Sequence, residues 1–172
     1  MEPLSAALEQ QVLLSAAISG DGIAFRKLVS PHLEMLHRLA ARACSDPELA
    51  KDAVQESLVL AYMRLSSVKE QGSVRAFLAG ITVKRSKTLL RSEKRRAKRQ
   101  AEYGDRRRYT QPDEMLGAKE MAARVREILA SMPSKRSQVA MLRLDAKLSY
   151  AEIAEALKIS ERSARVLLHL AL

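Results

Sequence analysis

Apolar residues recur along this chain every three or four positions, the spacing that lines one face of a helix. The clearest stripe is Ala50, Val54, Leu58, Ala61 and Leu65, preceded by Asp46-Pro47-Glu48, a helix-start signal with acid in the first turn. Leu33, Leu36, Ala40 and Ala43 form a shorter stripe after Ser30-Pro31, with proline expected at the first helical position. Leu4 to Ser19 reads as a first helix ended by Gly20, and Asp21 can cap a short second one holding Ala24, Phe25, Leu28 and Val29. From Ser73 to Arg99 no glycine or proline follows Gly80, so one long helix is expected, with Val74, Leu78, Ile81 and Leu89 inward. Arg85 falls among those apolar positions and spoils the stripe.

Periodicity collapses over YGDRRRYTQP, residues 103–112, which reads as a linker and a domain boundary. It resumes with Met121, Val125, Ile128 and Leu129 on one face, stopped by Met132-Pro133, and continues with Val139 and Leu142. Ser149 with Glu152 three residues on is a capping box, in which each side chain can satisfy the other residue's backbone N–H. A short helix with Ile153, Ala154 and Leu157 follows, then a turn at Lys158-Ile159. Ser160 caps a last helix with Ala164, Leu167, Leu168 and Ala171 inward. Two short capped helices joined by a tight turn are a helix-turn-helix. The expected fold is therefore all-α. Two small helical domains, residues 1–100 and 113–172, are joined by a flexible basic linker at 101–112, and the second is a helix-turn-helix.

Composition supports helices: aromatic residues are 3% of the chain and Trp is absent, so few strand-favouring side chains are available. Charge adds a second piece of information. The net charge is +10 at pH 7, but residues 1–83 carry 8 basic and 9 acidic groups, whereas residues 84–108 carry 12 and 3. The cationic excess thus sits on the long helix and the segment after it. Lys84, Lys87, Arg91, Lys94, Arg95 and Lys98 fall within about a third of that helix's circumference, and Phe77 lies on the same side. A helix that packs by one face and shows cations on another suits a polyanion.

Other chemistries find little support. The single cysteine, Cys44, excludes an internal disulfide and reads as a small buried residue. His32, His37 and His169 are too scattered for a metal site, and no metal or cofactor is expected. There is no phosphate-binding glycine loop, nucleophile elbow or carboxylate pair with a catalytic reason, so an enzyme is not expected. No apolar run approaches membrane-spanning length and MEPLSAALEQ lacks a basic leader, so no membrane insertion and a cytoplasmic location are expected.

In order along the chain, GDGIAFRKLVSPHL, DAVQESLVLAY, SVRAFLAGITVKRSKTLLRSEKRR and MPSKRSQVAMLRLDAKLSYAEIAEALKISERSARVLLHLA together resemble a bacterial RNA polymerase sigma factor of the extracytoplasmic-function type. The resemblance implies a transcription initiation factor. Such a factor binds core polymerase, recognises promoter −10 and −35 elements, promotes melting, and in many cases is held off by an anti-sigma protein. It implies that Asp52, Gln55 and Glu56 meet the clamp helices of the polymerase largest subunit. The Ser66–Gly72 loop, Lys69 included, would capture a flipped base, at a few kcal/mol of unstacking. Arg75, Phe77, Lys84, Lys87 and Arg91 would contact the −10 element. Ser160, Glu161, Arg162, Ser163, Arg165 and His169 would meet the −35 element, because the N-terminal end of a recognition helix faces base edges.

The chain departs from the family pattern at several places. Phe77 stands where Trp is common, Lys84 where Asn is frequent, Lys158 where Gly is usual, and Leu167 and Leu170 where Arg is usual. Phe77 can serve as a stacking surface or as a core residue, and both readings stay open. Two other readings share these features. One is a free-standing helix-turn-helix regulator, which would need a dimerisation helix. The other is a sigma-like interaction protein that opens no promoter.

Overall fold

The computed structural model describes the backbone of residues 2–68, 73–102 and 116–172, with side chains from 7 to 68, 73 to 100 and 120 to 172. Among the described residues every regular element is helical. The order is α1 (Glu2–Ile18), α2 (Gly22–Val29), α3 (Leu33–Ala43), α4 (Pro47–Met63), α5 (Val74–Glu102), α6 (Leu116–Ser131), α7 (Ser134–Leu144), α8 (Tyr150–Leu157) and α9 (Glu161–His169), with single 3₁₀ turns at Ser30–His32 and Leu65–Ser67. No helix of the described residues is long and apolar enough to cross a membrane.

The caps explain most boundaries. Asp21 accepts hydrogen bonds from the Ile23 and Ala24 amides and opens α2. Asp46 accepts from the Glu48 amide and opens α4, with Pro47 in the first turn, where a missing N–H does no harm. Ser73 Oγ accepts from the Ala76 amide at the start of α5. Pro31 differs from expectation: it lies in the 3₁₀ turn, and α3 begins two residues later at Leu33. The tighter turn re-aims the chain from α2 into α3 without asking proline for a hydrogen bond.

The capping box at Ser149 is fully formed, with Glu152 N to Ser149 Oγ at 3.2 Å and Ser149 N to Glu152 Oε2 at 2.8 Å. Helix α8 ends on Lys158, whose φ of 57° is left-handed, a conformation that favours glycine. There its backbone N–H caps the carbonyls of Ala154 and Glu155.

The two helical parts meet along α5. Helix α5 runs between the two halves, packing on α3 and α4 along one side and on α7 and α8 along another. Leu36, Leu39, Val54, Leu78 and Val83 on the N-terminal side and Met141, Leu142, Leu148 and Ile153 on the C-terminal side belong to one apolar cluster. Met121 and Ile128, read from the sequence as sharing one apolar face with Val125 and Leu129, are 62% and 54% exposed, while Leu129 is buried and Val125 packs on the core.

Candidate nucleic-acid interface

Three surfaces carry the residues singled out from sequence. The first is α4. Asp52 and Gln55 are exposed on the face opposite Ala53, Val54 and Ser57, which are buried. Glu56 is half-buried and forms an ion pair with Arg85 of α5, accepting from its guanidinium. This resolves the oddity of Arg85 among apolar positions: its charge is met by the neighbouring helix. Val59 and Met63 continue the exposed side of α4 and are 60% and 73% exposed. Sequence reasoning passed over both, although the i, i+4 spacing from Gln55 to Val59 to Met63 was readable.

The second surface is α5, and here the expected free cationic stripe needs correction. Arg75 donates to the carbonyl of Ala146. Lys84 Nζ donates to the carbonyl of Ala156 at 2.6 Å. Lys87 is buried, 8% exposed, and donates to the carbonyl of Leu129 at 3.1 Å. Arg75 and Lys87 turn inward, and Lys84 reaches across while staying exposed, because α6, α7 and α8 end beside α5. The last carbonyls of a helix have no partner within it and carry the negative end of its dipole, so a lysine or arginine satisfies them.

Burial holds Lys84 and Lys87 below the ordinary lysine range, with Lys158 and Arg64 adding to the effect at Lys84, and Arg91 and Lys94 at Lys87. Arg91 and all residues from there to Gln100 are exposed. Phe77 is half-buried, packed on the core, and also lines a cleft. That cleft, about 760 Å³, lies between α5 and α8. Arg64, Lys84 and Lys158 ring it, and Ile81 and Ile159 help to floor it. Lys69, together with residues 70–72 of its loop, lies outside the described residues, as does the greater part of the 101–112 linker.

The third surface is α9. Ser160 Oγ accepts from the Ser163 amide at 3.1 Å and lies 2.8 Å from the Ser163 hydroxyl. Glu161, Arg162, Ser163, Arg165 and His169 are all exposed. Arg165 is steered from two sides: Glu161 Oε2 lies 3.3 Å away, and the guanidinium sits 5.2 Å from the Tyr150 ring centroid. Arg143 lies over the same ring at 4.9 Å. A cation over an aromatic face is held in direction while its outer N–H groups stay available. Leu167 is half-buried as its pattern implied, while Val166 and Leu170 are each 52% exposed on the outer side.

Comparison with known proteins places this geometry. Residues 28–96 match the family described as Sigma-70 region 2, and residues 122–172 match Sigma-70, region 4. The chain belongs to the sigma-70 family. The first match takes in α4 and almost all of α5, and the second takes in the helix-turn-helix.

Among curated proteins, ECF RNA polymerase sigma factor SigM of Mycobacterium tuberculosis is 34% identical over 82 residues, 48% of this chain, in both of two strains. The match covers 42% of the length of those relatives. It agrees with the extracytoplasmic-function branch that the sequence motifs indicate.

Two solved structures share the fold. CnrH, in complex with the cytosolic domain of CnrY, superposes with a TM-score of 0.70 at 23% identity, covering 95% of this chain and 92% of its own. The sigma factor RpoE of Bartonella quintana, in complex with the anti-sigma factor NepR, superposes with a TM-score of 0.63 at 17% identity, covering 86% of this chain and 91% of its own.

Residues that sequence reasoning missed lie where the region 2-like and region 4-like parts meet. They are Gly80, Ala156, Arg42 and Asp145. An isolated glycine inside a helical pattern usually has a packing reason, and Gly80 was a readable signal of that kind.

Proposed function

We propose that this chain is a transcription initiation factor that binds core RNA polymerase and directs it to specific promoters. Residues 1–100 act as the polymerase-binding and −10-reading part, 101–112 as a linker, and 113–172 as the −35-reading part. The observation that carries this reading is the order of the two sigma-70 matches, with Asp52 and Gln55 exposed on α4 in the first and a capped helix-turn-helix in the second.

Asp52, Gln55 and Glu56 contact the polymerase. Arg91 and, once α5 is freed, Arg75, Lys84 and Lys87 hold −10 phosphates, while Phe77 offers one stacking face beside the loop that includes Lys69. Strand opening needs such a face, because each flipped base gives up a few kcal/mol of stacking. Arg162 and Arg165 supply base-edge or phosphate contacts at the −35 element, with Ser160, Glu161, Ser163 and His169 around them. RNA synthesis is the work of the polymerase, so the chain itself performs no chemistry. It acts in the cytoplasm, and an anti-sigma protein is a natural regulator, as RpoE and its partner NepR exemplify.

The test is reconstitution. The full chain is mixed with core polymerase, and complex formation and transcription from mapped promoters are measured. Complex formation with promoter-dependent transcripts is expected. Absence of binding to core overturns the proposal. Binding without transcripts selects the sigma-like interaction protein, a reading that the exposed Val166 and Leu170 favour. Charge reversal at Asp52 and Glu56 narrows the result, since unchanged core binding removes that face from the contact.

A further inference from the structure

Where α5 and α8 touch, Gly80 leaves room for the Ala156 side chain: a Cβ on Gly80 would lie 2.9 Å from the Ala156 Cβ. The cleft of about 760 Å³ opens beside this contact and takes Ala156 into its lining. Leu60 of α4, Phe77 and Ile81 of α5, and Ile159 in the turn after α8 supply its apolar wall. All four are half-buried, so each keeps apolar surface to offer a ligand.

The rim of the cleft is cationic, and the cations come from three different elements. Arg64 follows the end of α4, Lys84 lies on α5, and Lys158 follows the end of α8. Arg64 and Lys158 are close enough to Lys84 that their charges add to burial in holding its pKa down. An anion placed among the three relieves that repulsion. Among the described residues neither Arg64 nor Lys158 forms an ion pair. Lys84 donates to the Ala156 carbonyl, and an ammonium has further N–H groups to give. Arg85 also lines the cleft, but its charge is already met by Glu56. Glu155 is the acid of the lining, and it takes up none of the rim cations in an ion pair.

We infer that this cleft is a binding site for a small amphipathic anion, an organic acid whose apolar body lies against Leu60, Phe77, Ile81 and Ile159 and whose anionic head sits among Arg64, Lys84 and Lys158. Small-ligand sites commonly have this form, with volumes of about 300–1,000 Å³, mostly apolar walls and a few converging polar groups. The wall argues against inorganic phosphate, which has nothing to lay on Phe77 and Ile81. The rim argues against a neutral hydrocarbon, which leaves the cations unmet. The site stands apart from the initiation-factor reading, since neither polymerase nor promoter is needed to fill it.

The test uses the full chain as wild type, as Lys158→Gly, as Arg64→Gln and as the double variant. Neither side chain belongs to the proposed polymerase or DNA contacts. Glycine suits the left-handed φ of 57° at position 158, so the turn survives the loss of charge. Arg64 closes α4 through its backbone N–H, which glutamine also supplies. Circular dichroism confirms that each variant is folded. Isothermal titration calorimetry then reads binding of decanoate and of naphthoate, with decanol, inorganic phosphate and deoxyadenosine monophosphate as comparisons.

One acid per chain is expected, with decanol and phosphate bound far more weakly. Each single variant is expected to weaken acid binding about threefold and the double variant about tenfold, the scale of partly exposed cation–anion contacts. Preference for decanoate marks an aliphatic, lipid-derived acid and preference for naphthoate an aromatic one, and either result supports the site. Four results overturn it: no binding of either acid by the wild type, decanol bound as tightly as decanoate, unchanged affinity in the double variant, or deoxyadenosine monophosphate bound more tightly than both acids, which would make the cleft a nucleotide pocket.

Discussion

Helices α5 and α9 are both basic, and they dispose of their cations in opposite ways. Helix α5 turns Arg75, Lys84 and Lys87 onto carbonyls of its own chain, while α9 keeps Arg162, Arg165 and His169 at the surface. The difference follows from length and neighbours. Helix α5 spans 29 residues and packs on two sides, so its first turns are enclosed and only its last turns reach solvent freely. Helix α9 spans 9 residues and packs by Ala164 and Leu168, which leaves its other sides open. A cation's position on a helical wheel therefore says little about its availability. What decides it is whether another helix ends beside it.

The largest expected effect breaks α5 itself into two kinds of cation. Lys87→Glu sets a carboxylate, buried, against the Leu129 carbonyl, and an unpaired buried charge costs about 3–5 kcal/mol. Arg91→Glu, one turn on and exposed, leaves stability within about 0.5 kcal/mol and weakens DNA binding instead. Denaturant unfolding and DNA titration on the same two proteins check the pair. Equal stabilities would mean that Lys87 is a surface cation after all.

The corresponding change in α9 is smaller and of another kind. Arg162→Ala is expected to leave unfolding unchanged and to weaken binding to a −35 duplex by about 1–3 kcal/mol if Arg162 reads a base. If it holds a phosphate, the loss is uniform across sequences and the salt slope falls by about 1. Affinity measured at several salt concentrations, on two duplex sequences, distinguishes these. No change in either quantity removes Arg162 from the interface.

Ser160→Ala follows in size. It removes the cap that accepts the Ser163 amide, worth about 1 kcal/mol. Because α9 is short, that loss also loosens the helix end that presents Arg162. Thermal melting should fall slightly, and −35 affinity with it. A drop in melting temperature with full affinity would separate the cap from the reading end.

How much of this was legible in the sequence differs between local and distant causes. Caps at Asp21, Asp46, Ser149 and Ser160 are short-range, and each was readable from residues within four positions. The alternation of Val54 and Ala53 inward with Asp52 and Gln55 outward was readable too, since a helical period fixes it. The burial of Lys87 was not, because its partner is 42 residues away and is a backbone carbonyl, which every residue has. Arg85 beside Glu56, 29 residues apart, and Arg42 beside Asp145, 103 residues apart, are distant in the same sense. Apolar periodicity predicted which way helices face. It could not say that two halves separated by a polar linker face each other, since Gly80 signals a close approach without naming its partner, and Ala156 looks unremarkable until the two touch.

The smallest expected effect bears on that contact through acid. Glu152 is partly buried, and burial alone would raise its pKa. The Ser149 amide, the Ser73 and Ser149 hydroxyls and Arg75 outweigh burial and hold it below its ordinary 4.5. A carboxylate with a depressed pKa binds fewer protons when folded than when unfolded. Its contribution is therefore complete above the unfolded value and is lost as pH falls through the folded one. Ser73 and Arg75 belong to the start of α5, so part of that contribution sits between the two halves. Unfolding of the wild type and of Glu152→Gln, compared from about pH 6 down to about pH 3, should show a stability gap that is constant at first and closes below about 4.5. Small-angle scattering over the same range should show the wild type loosening where the gap closes. A gap that persists at the acid end would mean that the Glu152 charge contributes nothing, and that the capping box holds as well with an amide as with a carboxylate.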